Sequence, residues 1–334
     1  MLPLPPNGVP CFKKLHYRWE KMASQPNQAL PDNYQLLNYT IEKQISGGGF
    51  SIVYLAHDEN QQPVAIKEYL PSALVLRTEG SIVQATSADN MATFRYGMKC
   101  FFEEGRALAN ISHPNVVRVL NFFRANDTVY MVMHYERGRT LQEHIQANKG
   151  RVREGFMRRV FVELLNGLRE VHTHKILHLD IKPSNIYIRM DGSPVLIDFG
   201  AARQTLSNEK PLLSPMYTPG FAAPEQYKNR EHLGPWTDIY SVGASMFACL
   251  AGFAPQAADA RVKSDKLVSA KKLWDGKYSD QLLELIDQCL HLDYMERPQS
   301  VFALQKILME PLPDKEKKPT LIQSIRDTLN KEIF

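Results

Sequence analysis

The sequence has few cysteines and no large excess of charge of one sign. Its 334 residues include four cysteines, with no CxxC pair and no histidine at a zinc-binding spacing. This excludes a disulfide-rich secreted fold and a zinc finger, and it predicts free thiols in a cytoplasmic protein. The 40 Lys and Arg against 36 Asp and Glu leave a net charge of +4 without a basic stripe, so we expect no nucleic-acid partner.

Long hydrophobic runs are also scarce. The N-terminus is broken by prolines and lacks the apolar core of a signal peptide. Residues 239–258 carry no charge and reach the length of a membrane span, but Pro255, Gln256, glycines and serines dilute them. Asp238 precedes this stretch as an acid suited to the start of a helix. We therefore expect a buried core helix and no direct membrane span.

Two parts with different periodicity follow one another along the chain. Residues 1–33 are rich in Pro, Asn and Gln and are interpreted as an N-terminal extension. β-branched and aromatic segments then predict an antiparallel sheet with one main helix near Phe94–Asn110, and from about Leu141 the pattern is mostly helical. These features predict an α+β protein with a small sheet lobe, a larger helical lobe and a cleft between them. The strands of the predicted sheet lie at 40–45, 51–58, 64–70, 116–123 and 128–135. A short helix is expected in the C-terminal tail, residues 312–334.

A glycine-rich segment lies between the first two predicted strands. Glycines there allow backbone N–H groups to approach a phosphate without a Cβ in the way. A tight hairpin is an equally good interpretation of the segment taken alone, and it is not a Walker loop because no GK[ST] follows. The candidate phosphate-loop residues are Ile45, Ser46, Gly47, Gly48, Gly49, Phe50, Ser51 and Val53.

Lys67 ends the apolar segment VAIK of the third predicted strand. A lysine in this setting is a candidate for pairing with phosphate and a carboxylate, although an edge-strand lysine would look the same. Glu104, on the predicted helix, is the candidate carboxylate, whereas Glu103 points about 100° away around the helix. The connection between Lys67 and Glu104 is long, and the segments flanking Thr78–Gly80 predict an extra hairpin within it.

Acidic, amide and lysine side chains cluster in HLDIKPSN, residues 178–185, and in DFG, residues 198–200. Phosphoryl transfer needs a divalent metal held by oxygen ligands, a carboxylate that orients a hydroxyl, and a cation that offsets charge on the moving group. These groups occur within nineteen residues of this sequence. They are supplied by Asp180, Lys182, Asn185 and Asp198.

With these segments in this order, the chain resembles the protein kinase family over roughly Tyr39 to Pro311. LPDNYQLLNYTIEKQI, VAIKEYLPS and YTPGFAAPEQY resemble a bacterial subgroup of eukaryotic-like Ser/Thr protein kinases. The resemblance implies the bilobal kinase fold, with a kinase domain at 34–311 divided into an N-lobe at about 39–133, a hinge at 134–137 and a C-lobe at 138–311. It also implies transfer of the ATP γ-phosphoryl group to Ser or Thr of proteins, with Mg²⁺, or alternatively Mn²⁺, as cofactor.

The resemblance assigns roles to individual residues. Lys67 would pair with the α- and β-phosphates and with Glu104. Asp180 would be the catalytic base and Lys182 the contact to the γ-phosphate, while Asn185 and Asp198 would hold the metal. The glycine-rich segment and Val53 would also bind the nucleotide. So would Ala65, the gatekeeper Met133, His134, Tyr135 and Tyr187. Asp238 would be the acid that braces the catalytic loop, and Arg297 would be the partner of Glu225. The activation segment and its supports comprise Phe199, Gly200, Thr218 at the P+1 position, Glu225, Asp238 and Arg297.

Two departures from the family pattern carry expectations. Ser46 and Ser51 replace the outer glycines of the phosphate loop, which implies a higher KM for ATP without loss of function. Leu179 replaces the arginine that, in the family, grips a phosphorylated activation-segment residue. Because leucine cannot bind that charge, we expect activity that does not depend on activation-segment phosphorylation.

Two alternatives to an active protein kinase stay open. A pseudokinase scaffold would bind nucleotide without transfer, but that class usually lacks the equivalents of Lys67, Asp180 or Asp198. A small-molecule kinase would share the catalytic acids, whereas Lys182, the APE at 223–225 and Arg297 resemble protein kinases specifically. The expected partners are ATP and an unidentified protein substrate, with a homodimer or a separate upstream regulator as candidate means of control.

Overall fold

The computed structural model describes residues 27–77, 80–149, 151–199, 217–228 and 230–310. Gly200, most of the activation segment and the helix expected at 312–334 lie outside the described residues. The chain first forms a six-stranded antiparallel sheet with strand order β1-β2-β3-β4-β8-β7 and then a mostly helical part. The α+β architecture predicted from the sequence is therefore confirmed. No helix among the described residues is both long and apolar enough to cross a membrane.

Three sheets account for the described strands. The main sheet contains β1 (Gln35–Leu36), β2 (Tyr39–Gly47), β3 (Ser51–His57), β4 (Pro63–Tyr69), β7 (Val119–Ala125) and β8 (Thr128–His134). The hairpin predicted within the long connection is present as β5 (Val75–Leu76) paired with β6 (Gln84–Ala85). A third sheet is built from β9 (Gly138–Thr140), β10 (Ile186–Arg189) and β11 (Pro194–Leu196).

Helix α1 (Ala88–Ala109) packs on the main sheet. It begins six positions before the predicted start because the Ser87 side chain caps it by accepting a hydrogen bond from the Asn90 N–H. Phe94, Phe101 and Leu108 are buried along one stripe of the helix. Gly97 is required here, since a Cβ at this position would lie 1.9 Å from the Tyr69 hydroxyl oxygen.

A buried ion pair lies on the face of the main sheet opposite Lys67. Because side chains alternate along a strand, Lys67 and Glu68 of β4 point to opposite faces. Arg77, which follows β5, donates to Glu68 over 3.0 Å from Nη1, and both side chains are fully buried. The hydroxyls of Tyr54 and Tyr130 donate to the same carboxylate over 2.7 and 2.5 Å. The cluster therefore joins the inserted hairpin to the centre of the sheet.

Residues 27–30 are tied to this cluster from the N-terminal side. The Asn27 side chain accepts from the Arg77 N–H over 2.8 Å and donates to the Val75 carbonyl over 3.2 Å. The Gln28 carbonyl accepts from Arg77 Nη1 over 3.1 Å, and Leu30 is buried. The end of the predicted N-terminal extension therefore packs against the sheet part of the protein.

The helical part surrounds one buried helix. Its helices are α2 (Leu141–Ala147), α3 (Glu154–Thr173), α4 (Pro224–Lys228), α5 (Pro235–Ala251), α6 (Ala258–Lys263), α7 (Ala270–Trp274), α8 (Asp280–Cys289) and α9 (Val301–Met309). Helix α5 is the core helix predicted within 239–258, and it is buried on every side from Thr237 to Leu250. It ends before the uncharged stretch does, because Gly252 adopts a left-handed conformation with φ +83°.

Candidate active site

The first part of the site is an ion pair that joins the sheet to the helical part. Lys67 is 7% exposed, and its Nζ lies 2.6 Å from Asp198 Oδ1 although 131 positions separate the two residues. Asp198 adopts a left-handed backbone with φ +61°, and its carboxylate remains partly exposed. Desolvation opposes its charge, but the nearby Lys67 and Lys182 ammonium groups outweigh that effect and hold the pKa of the Asp198 carboxyl well below its usual range. The Asp198 carboxyl is therefore ionised and is an oxygen donor that could hold a cation.

The second part is the carboxylate of Asp180, which three side chains hold. Thr218 Oγ1 donates to Oδ1 over 2.7 Å, whereas Lys182 Nζ and Asn185 Nδ2 donate to Oδ2 over 2.7 and 3.0 Å. Lys182 Nζ also donates to Thr218 Oγ1 over 2.9 Å. Lys182 and Thr218 are 36 positions apart. The fold thus brings together the predicted catalytic loop, residues 178–185, and the end of the predicted activation segment, residues 217–228.

Asn185 and Asp198 present the oxygen atoms suited to a hard cation. Asn185 is buried in the turn Pro183–Asn185, and its carbonyl accepts from the Ile197 N–H over 3.0 Å, which places it beside Asp198. Its Nδ2 is committed to Asp180, so Oδ1 is the atom able to bind a metal. One amide oxygen and one carboxylate fit Mg²⁺, which takes its other ligands from phosphates and water.

His178 connects the Asp180 loop to the Asp198 loop. Its Nε2 lies 3.2 Å from the Ile197 carbonyl and its Nδ1 lies 3.2 Å from the Asp180 N–H. Because a carbonyl accepts and an N–H donates, the ring is neutral and carries its proton on Nε2. Burial lowers the pKa of His178, and the neighbouring carboxylates offset this only in part. Sequence reasoning gave this residue no role of its own.

Asp238 braces the same loop from helix α5. Its carboxylate is fully buried and accepts from the backbone N–H groups of His178, over 2.9 Å, and Leu179, over 2.8 Å. His172 Nε2 lies 2.7 Å from the same carboxylate, a partner that the sequence did not indicate. Desolvation opposes ionisation, but these contacts prevail and lower the pKa of Asp238. Leu179 itself is buried and has φ +62°.

Glu225 and Arg297, predicted to be partners, form a buried bidentate ion pair. Arg297 Nη1 and Nη2 lie 2.8 and 3.1 Å from the two carboxylate oxygens of Glu225. Thr237 Oγ1 donates to Glu225 over 2.9 Å, and the guanidinium lies 4.9 Å from the ring centre of Tyr240. The contacts anchor the end of the activation segment to helix α5.

The predicted nucleotide-binding face of the sheet part follows the register of the main sheet. Val53 pairs with Lys67, and Ala65 pairs with Met133, so these side chains share the cleft face. Ile45 is 42% exposed at the open end of β2. The other nucleotide candidates lie at the end of β8 and in β10, and their contact with a nucleotide stays a prediction. His134 ends β8, Tyr135 follows it, and Tyr187 in β10 pairs with Thr140.

The glycine-rich segment forms the turn between β2 and β3. The Gly49 carbonyl accepts from the Ser72 N–H over 2.9 Å and from the Ser72 hydroxyl over 3.2 Å. Ser46 pairs with Val53 across the hairpin, and Phe50 accepts from the Leu70 N–H over 2.8 Å. These contacts tie the turn to the end of β4. A nucleotide contact by this segment stays a prediction.

Glu104 is buried on the face of α1 turned to the sheet. Phe101, one turn earlier on that face, has its ring centre 5.7 Å from Lys67 Nζ. The fold thus places Glu104 on the helix that packs against the Lys67 face of the sheet, while the pairing of the two residues stays a prediction. Phe199 is buried and packs against His178 with ring centres 4.3 Å apart.

The predicted hinge contains an ion pair that sequence reasoning missed. Arg189 donates from Nε and Nη2 to the two carboxylate oxygens of Glu136, over 2.7 and 2.8 Å. Its Nη2 also donates to the Pro114 carbonyl over 2.8 Å. Gly138 is required beside this pair, because a Cβ there would lie 2.0 Å from the Ile188 carbonyl oxygen. The hinge is thereby fastened to β10.

Comparison with known proteins identifies the class that this fold and site define. The family model for the protein kinase domain matches residues 39–311, so the chain belongs to the protein kinase family. The structure of PpkA-294 in its apo form is similar, with 34% identity and a TM-score of 0.75, over 84% of this chain and 99% of that one. The predicted family resemblance is confirmed.

Curated relatives are named as serine/threonine-protein kinases. SIK2 of Gallus gallus is 26% identical over 231 residues, which is 69% of this chain and 26% of that protein. Serine/threonine-protein kinase B of Synechocystis sp., a bacterial member, is 28% identical over 229 residues, 65% of this chain and 39% of that protein. The chain thus spans less than half the length of these two relatives.

Proposed function

We propose that the protein transfers the γ-phosphoryl group of Mg²⁺-bound ATP to serine and threonine hydroxyls of proteins. The observation that carries this proposal is the Asp180 carboxylate, held by Lys182 and Thr218 beside the Lys67–Asp198 ion pair. An acid, ammonium groups and oxygens suited to a metal therefore lie close together, which supports phosphoryl transfer at this site. The names of the relatives support serine and threonine as acceptors.

The role proposed for each side chain follows from its charge or from its oxygen donor. Asn185 and Asp198 would hold Mg²⁺, which supplies charge stabilisation to the phosphates when bound. Lys67 would bind the α- and β-phosphates, and Glu104 would orient it. The acceptor hydroxyl would donate to Asp180 beside the Thr218 hydroxyl, since each carboxylate oxygen has two lone pairs, and the carboxylate would take its proton. Lys182 would offset the charge on the moving phosphoryl group.

We also propose that activity does not depend on phosphorylation of the activation segment. Leu179 is buried and carries no charge, so its side chain offers a phosphate no partner. The backbone N–H of Leu179 is instead fixed by Asp238 over 2.8 Å. The catalytic loop therefore has an internal support that needs no modification.

The experiment that tests the proposal is transfer of label from γ-labelled ATP with Mg²⁺ to myelin basic protein, followed by phosphoamino acid analysis. Label on serine or threonine that is lost in Lys67→Met supports it. Lys43→Met, a change at an exposed lysine of the same sheet, is the matched control. Nucleotide binding without transfer would favour a pseudokinase. Label only on small-molecule acceptors, with none on protein, would indicate a small-molecule kinase.

A further inference from the structure

Gln226 is a buried polar residue whose role the catalytic groups do not explain. It is 3% exposed and lies in the first turn of the short helix α4. Its Oε1 accepts from the Ala223 N–H over 2.9 Å, as a glutamine at the third helical position does when it caps a helix start. Capping uses only the oxygen, so the buried NH₂ group needs an acceptor elsewhere.

That acceptor is the backbone of the catalytic loop. Gln226 Nε2 donates to the Leu179 carbonyl over 2.9 Å, although the two residues are 47 positions apart. The orientation of the amide follows from its partners, since an N–H must face Oε1 and a carbonyl must face Nε2. Gln226 therefore joins the end of the activation segment directly to the residue that precedes Asp180.

The peptide unit between Leu179 and Asp180 is held at both of its polar atoms. Gln226 binds its carbonyl, and His178 Nδ1 accepts its N–H over 3.2 Å. Asp238 binds the Leu179 N–H on the other side. Leucine rarely adopts the left-handed conformation that Leu179 has here, with φ +62°. Such a conformation persists only where the surroundings determine it, and Gln226 is one of these determinants.

We propose that Gln226 is a positioning residue for Asp180 and couples the activation segment to the catalytic loop without a phosphate. This inference rests on the proposed function and deepens it. Thr218 holds the Asp180 carboxylate and Gln226 holds the peptide unit before it, so residues 217–228 orient Asp180 through two uncharged contacts. Because this coupling uses only hydrogen bonds of unmodified residues, it needs no side chain at position 179 that binds a phosphate, and Leu179 has none.

Gln226→Met tests this, because methionine nearly preserves volume and removes both hydrogen bonds. Gln305→Met is the matched control, since Gln305 is 4% exposed and its Nε2 donates to the Val162 carbonyl over 2.9 Å in the α3–α9 interface, away from Asp180. We expect Gln226→Met to lower kcat about 10- to 100-fold with KM for ATP changed less than about twofold. Gln305→Met should keep kcat near the wild-type value at a similar loss of stability.

Hydrogen exchange at the Asp180 amide provides a readout that does not need activity. We expect faster exchange at this amide in Gln226→Met than in the wild type or Gln305→Met. Wild-type kcat together with unchanged exchange in Gln226→Met would overturn the inference. If Gln226→Met fails to fold, Gln226→Asn, which keeps the amide but is too short to reach Leu179, takes its place with the same expectations.

The two proposals fail in different ways. A wild-type protein that transfers no phosphate contradicts the proposed function, while the exchange measurement still decides whether Gln226 positions Asp180. A wild type that transfers phosphate and a Gln226→Met variant that equals it contradict only the role of Gln226. Phosphatase treatment before the assay should leave the difference between Gln226→Met and wild type unchanged, and its disappearance would contradict a phosphate-free coupling.

Discussion

The hydroxyl of Thr218 donates a 2.7 Å hydrogen bond to Oδ1 of Asp180, across 38 positions of sequence. The same hydroxyl accepts from Lys182, so it bridges the acid and the ammonium group of the catalytic loop. The end of the activation segment thus sets the geometry of both groups, and the acceptor hydroxyl would enter at this point.

Thr218→Val removes this bridge while keeping the shape of the side chain. We expect kcat to fall about 100-fold, because Asp180 and Lys182 lose their shared partner and a displacement of about 1 Å is enough for such a loss. Thr218→Ser, which restores the hydroxyl, should stay within about threefold of wild type. Steady-state kinetics check this, and a valine variant with wild-type kcat would refute the role of the hydroxyl.

Breaking the buried Glu68–Arg77 pair by removing one partner should destabilise the sheet part. Arg77→Met leaves the Glu68 carboxylate buried without a cation, which lowers the free energy of unfolding by about 3–5 kcal/mol. The double variant Glu68→Gln, Arg77→Met should recover most of the loss. Glu42→Gln, in an exposed pair with Lys43, is the control and should cost less than about 1 kcal/mol. Urea unfolding measures all three, and equal costs for the buried and exposed changes would contradict this account.

Burial of neutral His178 predicts a stability that falls in mild acid. The pKa of His178 is lowered in the folded state. At pH values between this folded pKa and the ordinary value near 6.5, the unfolded chain therefore binds more protons than the folded protein does. Stability from this residue is complete above about pH 6.5 and decreases as the pH falls below it, by at most about 1.4 kcal/mol per pH unit.

His178→Gln removes the titration and keeps a donor and an acceptor. Urea unfolding between pH 7.5 and 5.5 should therefore show a smaller loss of stability for this variant than for the wild type. Identical pH profiles for the two proteins would show that His178 is not held neutral by burial.

Residues of the activation segment supply the test of phosphorylation independence. Thr205, Ser207 and Ser214 lie outside the described residues, and Tyr217 packs against Tyr227 with ring centres 4.7 Å apart. Replacing the first three by alanine and Tyr217 by phenylalanine should leave kcat within about tenfold of wild type, because Leu179 has no charge with which to bind a phosphate. Tyr217→Phe alone is the control for ring packing. A larger fall only in the combined variant would contradict the proposal.

The charged and amide residues of the candidate site were predictable from the sequence because they occur in short segments with fixed spacing. Asp180, Lys182, Asn185 and Asp198 were named from such segments, and the structure joins Lys182 and Asn185 to Asp180 by hydrogen bonds and places Asn185 beside Asp198. Five strands of the main sheet were also predictable, since apolar alternation and β-branched residues mark them, whereas the short strands β1, β9, β10 and β11 were not predicted. The start of α1 was wrong by six positions, because the prediction began at the apolar stripe instead of at the Ser87 cap.

Most partners that depend on tertiary contact could not be predicted, and Glu225 with Arg297 is an exception that came from the family resemblance. Glu68 stands in an apolar strand, a sign of a buried charge, but its partner Arg77 comes from an inserted hairpin whose position no local pattern sets. The Glu136–Arg189 pair and the Gln226–Leu179 contact likewise join segments that only the folded chain brings together. In such pairs the sequence shows both residues but not that they contact each other.

The most direct test of the central claim is the rate of label transfer from Mg²⁺-bound ATP to myelin basic protein in a single turnover, with wild type and Asp180→Asn measured side by side. The account predicts a rate lower by about 10²- to 10⁴-fold in the variant, with binding of the nucleotide retained. Equal rates in the two proteins would contradict it.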